Sequence, residues 1–302
     1  MALETEIHTF AGALAQYQVL FLASRNLATR TRREYTNDLA DLIAFLEGKC
    51  FVRDPGKVEK RHLEAYLADL DRLGFTGSTR RRKVASIRSF FTLLEEDGFI
   101  PQNPARKLIP PEREHLQPRV LTQGEYKRLQ SACVHETRDA AIIEVLLQTG
   151  VRLSELARLT LQAVELPAKI AGDEGNVGSV HIFGKGRKQR TITLNWKACE
   201  AIGSYLAIRP EVEDDRLFIT KFGEGISPRA IQYIVEKYLE EAGIQSASVH
   251  TLRHTFAVHM VKKGTKLDIV RQALGHESLK TTSIYVDLAR TVMDKELQAN
   301  AL

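Results

Sequence analysis

The chain has 302 residues, 43% of them hydrophobic and 27% charged, with a net charge of +5 and a pI near 9.0. That apolar share supports packed cores and excludes wholesale disorder, and roughly 150 residues per domain predicts about two domains. No apolar run approaches the ~20 residues that span a bilayer, and residues 1–10 carry Glu4 and Glu6 without a basic n-region, so neither a membrane span nor a secretory signal is expected.

The first half reads as helices. Leu14, Tyr17, Leu20 and Phe21 recur at helical spacing over Phe10–Leu27, and Tyr35, Leu39, Leu42 and Phe45 share a face over Thr31–Gly48. A third helix runs from Lys60 to Leu73 and is broken by Gly74 and Gly77. Ser78 is the expected N-cap of a fourth, whose apolar face holds Val84, Ile87, Phe90, Phe91 and Leu94. Arg80, Arg81, Arg82 and Lys83 crowd its first turns, where the helix dipole disfavours cations; an external anion would relieve that cost, and a surface cluster that tolerates it is the alternative. Pro101, Pro104, Pro110, Pro111 and Pro118 then mark a linker. The expected organisation is a helical domain over 1–108, a Pro-rich linker over 109–119 and a second domain over 120–302.

In the second half Thr122 caps a helix to about Ala132, and a further helix from Arg138 to Gln148 stops at Gly150, a left-handed terminator. Arg152 follows, leading into Leu153–Leu159. Gly178–Phe183 and Arg190–Leu194 alternate like strands, joined by a basic hairpin tip with Lys185, Arg187 and Lys188. Helices are expected over Trp196–Ile208, Arg229–Glu241, His250–Lys263, Asp268–Leu274 and Tyr285–Leu297. The fold class is therefore mainly α with a small antiparallel β-sheet in the C-terminal domain. The scattered cysteines, Cys50, Cys133 and Cys199, read as reduced thiols in a cytoplasmic protein.

Breaking a phosphodiester without a metal requires a nucleophile, cations for the charge on the nonbridging oxygens, and a proton for the leaving oxygen. Tyr285 fits the first role, placed nine residues after His276. Arg152 and Arg253 fit the second, since a planar guanidinium can clamp a phosphate with two donors. Glu155, three residues after Arg152, is expected to buttress it. Lys185 on the hairpin tip fits the third role, with Lys188 as its rival. His250 lies one helical turn from Arg253, so both can face one phosphate, and His276 can cap that phosphate or assist proton transfer. His254 and His259 are read as structural. His250 and His254 lie four apart, but a third ligand with zinc spacing is missing, so no metal or other cofactor is expected.

Taken together, Thr149-Gly150-Val151-Arg152-Leu153-Ser154-Glu155-Leu156, Gly184-Lys185-Gly186, His250-Thr251-Leu252-Arg253-His254, Leu274-Gly275-His276 and Tyr285 resemble the tyrosine recombinase (phage integrase) family. Thr31, Tyr35, Asp38 and Leu39, with Asn103-Pro104-Ala105, are similar to the helical core-binding domain of Xer-like members, so the resemblance covers nearly the whole chain. It implies a catalytic six of Arg152, Lys185, His250, Arg253, His276 and Tyr285. It also implies a covalent 3′-phosphotyrosine intermediate on Tyr285 and a two-domain clamp around double-stranded DNA. The implied partners are a specific recombination site and a homo- or hetero-tetramer acting through a Holliday junction. The tail 286–302, with Val286, Leu288, Val292, Met293 and Leu297, resembles the segment that docks on a neighbouring protomer; packing within its own chain is the alternative. Arg80, Arg81, Arg82, Lys83, Arg187 and Lys188 are the expected DNA contacts. Residues 165–178 depart from the pattern as an insertion. A relaxing topoisomerase and a non-catalytic DNA-binding protein are the competing readings.

Overall fold

A computed structural model describes residues 9–25, 27–112, 117–170, 177–183 and 189–299. The chain divides into two compact units, Met1–Leu116 and Gln117–Leu302. Among the described residues no helix is long and apolar enough to cross a membrane.

The first unit is helical. Helix α1 (Phe10–Gln16) is capped by Thr9, whose side chain accepts from the Gly12 amide, and continues as a π-helical turn over Tyr17–Leu22. The expected single α-helix to Leu27 is thus replaced by a wider turn that seats Tyr17 on Phe21 and against Phe90. Helices α2 (Thr29–Lys49), α3 (Lys60–Arg72) and α4 (Gly77–Glu96) follow. Leu39, Leu42, Leu63, Ile87, Phe90, Phe91 and Leu94 fill one core. Thr76, not Ser78, caps α4 by accepting from the Thr79 amide, and Gly77 lies inside the first helical turn instead of breaking the chain. The cap fell two residues early because Gly77 tolerates helical backbone as readily as a turn.

The basic run at the start of α4 is met by carboxylates. Arg80 pairs with Asp71 at 2.7 Å, Arg82 pairs with Glu34 at 3.2 Å and with Asp38, and Lys83 lies between Asp38 at 3.1 Å and Asp41 at 2.6 Å. Arg81 donates to the Pro111 carbonyl. The Lys83 side chain is only 3% exposed. Burial disfavours its charge, but Asp41, Tyr66 and Asp38 outweigh it and hold the pKa above the usual lysine value. Carboxylates of the chain itself relieve the crowding of cations at this helix end, and the Lys83 ammonium is held between Asp38 and Asp41.

The second unit surrounds a larger core. Thr122 and Glu125 form a capping box at α5 (Gln123–Cys133). Helix α6 (Thr137–Thr149) ends on Gly150 at φ +59°, where a Cβ would meet Phe256 at 2.6 Å. A four-residue α7 (Leu153–Leu156) follows, shorter than expected. Strands β1 (Val164–Glu165), β2 (Gly178–Phe183) and β3 (Gln189–Leu194) form an antiparallel sheet in the order β1-β2-β3, with Val164 opposite Val180 and Ile182 opposite Arg190. β1 pairs the start of the suspected insertion back onto β2; residues 171–176 lie outside the described residues. Helices α8 (Trp196–Leu206), α9 (Pro228–Glu241), α10 (Val249–Lys262) and α11 (Leu267–Leu274) pack around it. The last helix, α12 (Lys280–Ala299), begins five residues before the expected Tyr285. Its Tyr285, Leu288 and Ala289 join Phe256, Ala257, Val258, Val270 and Leu274 in a separate cluster. That much of the tail packs within its own chain.

Candidate active site

Two left-handed glycines present the carbonyls around which the site forms. Gly150 ends α6 and Gly275, at φ +63°, ends α11. The last carbonyls of a helix lack partners within it and carry the negative end of its dipole. At α11, Arg271 and Gln272 carbonyls accept from the His276 and Gly275 amides. The next three are each taken by a different arginine: Arg190 Nε donates to Ala273 O at 2.8 Å, Arg253 Nη2 to Leu274 O at 2.6 Å, and Arg152 Nη2 to Gly275 O at 2.9 Å. Arg253 Nη1 also donates to Gly150 O at 2.6 Å, so it ties both helix ends together.

Arg152 is the N-cap residue of α7, and Glu155 is buried beneath it. The Glu155 carboxylate accepts from the Arg152 amide and Nη1, both at 2.9 Å, and from Arg190 Nη1 at 3.1 Å and Nη2 at 2.8 Å. Burial works to raise its pKa; the hydrogen bonds and charges of Arg190 and Arg152 outweigh it and hold it below the usual carboxylate range. Arg253 is buried, and desolvation, with Arg152 close by, lowers its pKa to about 10. Three guanidiniums and one carboxylate leave this site cationic.

Tyr285 is 2% exposed, on α12 against α10. Its hydroxyl lies 2.9 Å from His254 Nδ1, and its ring stacks on His276 with centroids 6.2 Å apart. Burial raises its pKa, against the opposing pull of Arg253. His276 Nδ1 pairs with Thr282 Oγ1 at 2.9 Å, and burial, reinforced by Arg253 and Arg152, depresses its pKa to about 4. His254 is likewise lowered to about 4 by burial, His250 and Arg253. Both rings are therefore neutral near pH 7.

The structure brings Arg152, Glu155, Arg253, His276 and Tyr285 together in one unit. His250, the second residue of α10, is exposed one turn from Arg253. Lys185, Arg187 and Lys188 fall at 184–188, outside the described residues. Two partners were not singled out from sequence. His254 was read as structural, yet holds the tyrosine hydroxyl. Arg190 enters the sequence reading as the first residue of a strand, yet its side chain is 12% exposed and packs beneath the site. Period-two alternation in β3 puts it on the same face as buried Ile192 and Leu194, which is the hint the sequence holds; its partners, 35 and 83 positions away, are not legible there.

A fold that holds a tyrosine beside converging arginines at two helix ends defines a phosphodiester-handling class of protein. Comparison with known proteins makes this particular. The model of the phage integrase family matches residues 119–291, and that of the phage integrase N-terminal SAM-like domain matches 14–98. The tyrosine recombinase XerC of Thermodesulfovibrio yellowstonii is 34% identical over 280 residues, covering 88% of each chain. In fold, the chain resembles the XerH site-specific recombinase bound to its DNA substrate in a post-cleavage complex. That match has a TM-score of 0.75 and 20% identity, covering 94% of this chain and 83% of that one. It also resembles a lambda integrase tetramer bound to a Holliday junction (TM-score 0.74, 16% identity, 92% of this chain and 77% of that one). The chain belongs to the phage integrase family, among its Xer-like tyrosine recombinases.

Proposed function

We propose that this chain is a site-specific recombinase that cuts and rejoins double-stranded DNA through a 3′-phosphotyrosine on Tyr285. The observation that carries this is the convergence of Arg152 and Arg253 on the two helix ends beside His276 and the buried Tyr285. The Tyr285 hydroxyl passes its proton to a neutral histidine ring beside it (His254 Nδ1 lies 2.9 Å away) as its oxygen attacks phosphorus; the bond to the 5′ oxygen breaks, and that oxygen takes its proton from Lys185. Arg152 and Arg253 neutralise the nonbridging oxygens as charge builds, with His250 and His276 donating to them. The ester keeps the bond energy, so a new hydroxyl can reverse the step. In the resting arrangement Tyr285 sits too deep to meet a phosphate, so α12 has to shift when DNA and a neighbouring protomer bind.

Within this reading the chain binds a specific double-stranded DNA site, four protomers join two sites through a Holliday junction, and the protein works in the cytoplasm. The relatives named tyrosine recombinase and the resemblance to integrase–DNA assemblies support it. A duplex with a nick near the scissile phosphate tests it, because loss of the short leaving strand traps the covalent adduct. Wild type is expected to form an adduct that survives denaturation, with and without EDTA, and Tyr285→Phe none. An adduct from Tyr285→Phe would refute the assignment of the nucleophile.

A further inference from the structure

We infer that Arg190, outside the six residues of the catalytic set, is a positioning residue that keeps the Arg152 clamp cationic and aimed. The inference rests on the reading above. Arg190 follows the lysine hairpin tip on β3, and its fork spans three partners in two other segments. It donates to Ala273 O at 2.8 Å and to both oxygens of Glu155 at 3.1 and 2.8 Å.

The Glu155 carboxylate has about four lone-pair sites, and it receives four bonds, two from each arginine. In this arrangement Glu155 divides its charge between Arg190 and Arg152. Without Arg190 the whole carboxylate would face Arg152 alone and cancel the charge that Arg152 brings to a phosphate. The Ala273 carbonyl would also lose its donor at the end of α11, loosening the turn that carries Gly275 O and His276. Packing here is tight, since a Cβ added to Gly275 would lie 2.9 Å from Arg190 Nη1 and 3.4 Å from Arg152 Nη1. Arg190 thus acts on the reaction through its neighbours, since its guanidinium is mostly covered and its donors are taken by Ala273 and Glu155.

The test compares two nicked substrates, one with a normal scissile phosphate and one with a methylphosphonate there. The second carries no charge on its nonbridging positions, so a clamp that neutralises charge matters less. Arg190→Gln is expected to slow adduct formation about 10–100-fold on the normal phosphate, the scale of a misplaced active-site group. On the methylphosphonate the defect should shrink to about threefold or less, with site binding in a gel shift little changed. Equal slowing on both substrates would mean that Arg190 only supports folding, and no slowing would mean that it does nothing for the clamp; either overturns the inference. If Arg190→Gln lowers the folded fraction, Arg190→Lys, which keeps a cation beside Glu155, is judged by the same ratio of defects. A wild type that forms no adduct on either substrate overturns the recombinase reading and this inference with it. A wild type that does, beside a variant equal to it, overturns the inference alone.

Discussion

Two basic clusters, one in each unit, are built on opposite plans. At the start of α4, Arg80, Arg82 and Lys83 meet Asp71, Glu34, Asp38 and Asp41, so each cation there is paired with a carboxylate. At the ends of α6 and α11, Arg152, Arg190 and Arg253 meet the carbonyls of Gly150, Ala273, Leu274 and Gly275, with Glu155 as their sole carboxylate partner among the described residues. Carbonyl dipoles orient a guanidinium without cancelling it, so like charges are held close and remain available to an anion. Clusters alike in residue type therefore separate by what accepts their hydrogen bonds.

The largest effect expected from this contrast is at Arg253. Arg253→Gln removes a buried cation that bridges both helix ends, and adduct formation on the nicked duplex should fall about 10²–10³-fold, as for loss of one donor to a developing oxyanion. A loss below tenfold would place the phosphate elsewhere. The α4 cluster should answer in stability instead. Asp38→Ala leaves Lys83, at 3% side-chain exposure, with only the exposed Asp41. Breaking such a buried pair should cost the first unit about 3 kcal/mol in a urea titration, the low end for a buried pair because Asp41 remains. Cleavage by the folded protein should be little altered. A large catalytic defect without destabilisation would reverse the assignment of the two plans.

Gly275→Ala tests the catalytic plan at its tightest point. Its φ of +63° and the 2.9 Å approach to Arg190 both oppose a Cβ. The expected cost is about 1–2 kcal/mol of stability together with an approximately tenfold slower cleavage. An unchanged cleavage rate would show that the turn can relax without moving the arginines.

The fold was readable where one local rule decided the structure. Thr122 capped its helix, Gly150 ended the next, and the alternation over 178–183 and 189–194 produced the hairpin strands. Reading failed where two local rules competed or where the partner is remote. Thr76 and Ser78 both carry a capping hydroxyl, with a permissive glycine between them. Val164–Glu165 is too short to show a period. In the site, the arginines and the tyrosine announced themselves by residue type and spacing. The roles of Arg190, Lys83 and His254 depend on Glu155, Asp38 and Tyr285, which lie 35, 45 and 31 positions away. Only the folded chain brings those pairs together.

The smallest expected effect is on pH dependence, and it also separates the units. His254 and His276 are held near a pKa of about 4 in the folded catalytic unit, against 6.5 for an unperturbed histidine. Above pH 6.5 both states are neutral at these rings, and the full stability is present. Between 6.5 and about 4 the unfolded chain takes up protons that the folded unit refuses, so stability falls as the pH is lowered. With both rings only partly buried, solvent screening keeps the loss to about 1 kcal/mol per ring. Trp196, the only tryptophan, lies in the catalytic unit, so its fluorescence in urea titrations at pH 7, 5.5 and 4.5 follows that unit. His254→Asn, which keeps a polar group beside the Tyr285 hydroxyl but cannot titrate, should flatten this acid limb. If the wild-type and His254→Asn limbs superimpose, the ring is not held neutral by the site, and the contrast between a cationic catalytic cluster and a neutralised one in α4 would lose its electrostatic basis.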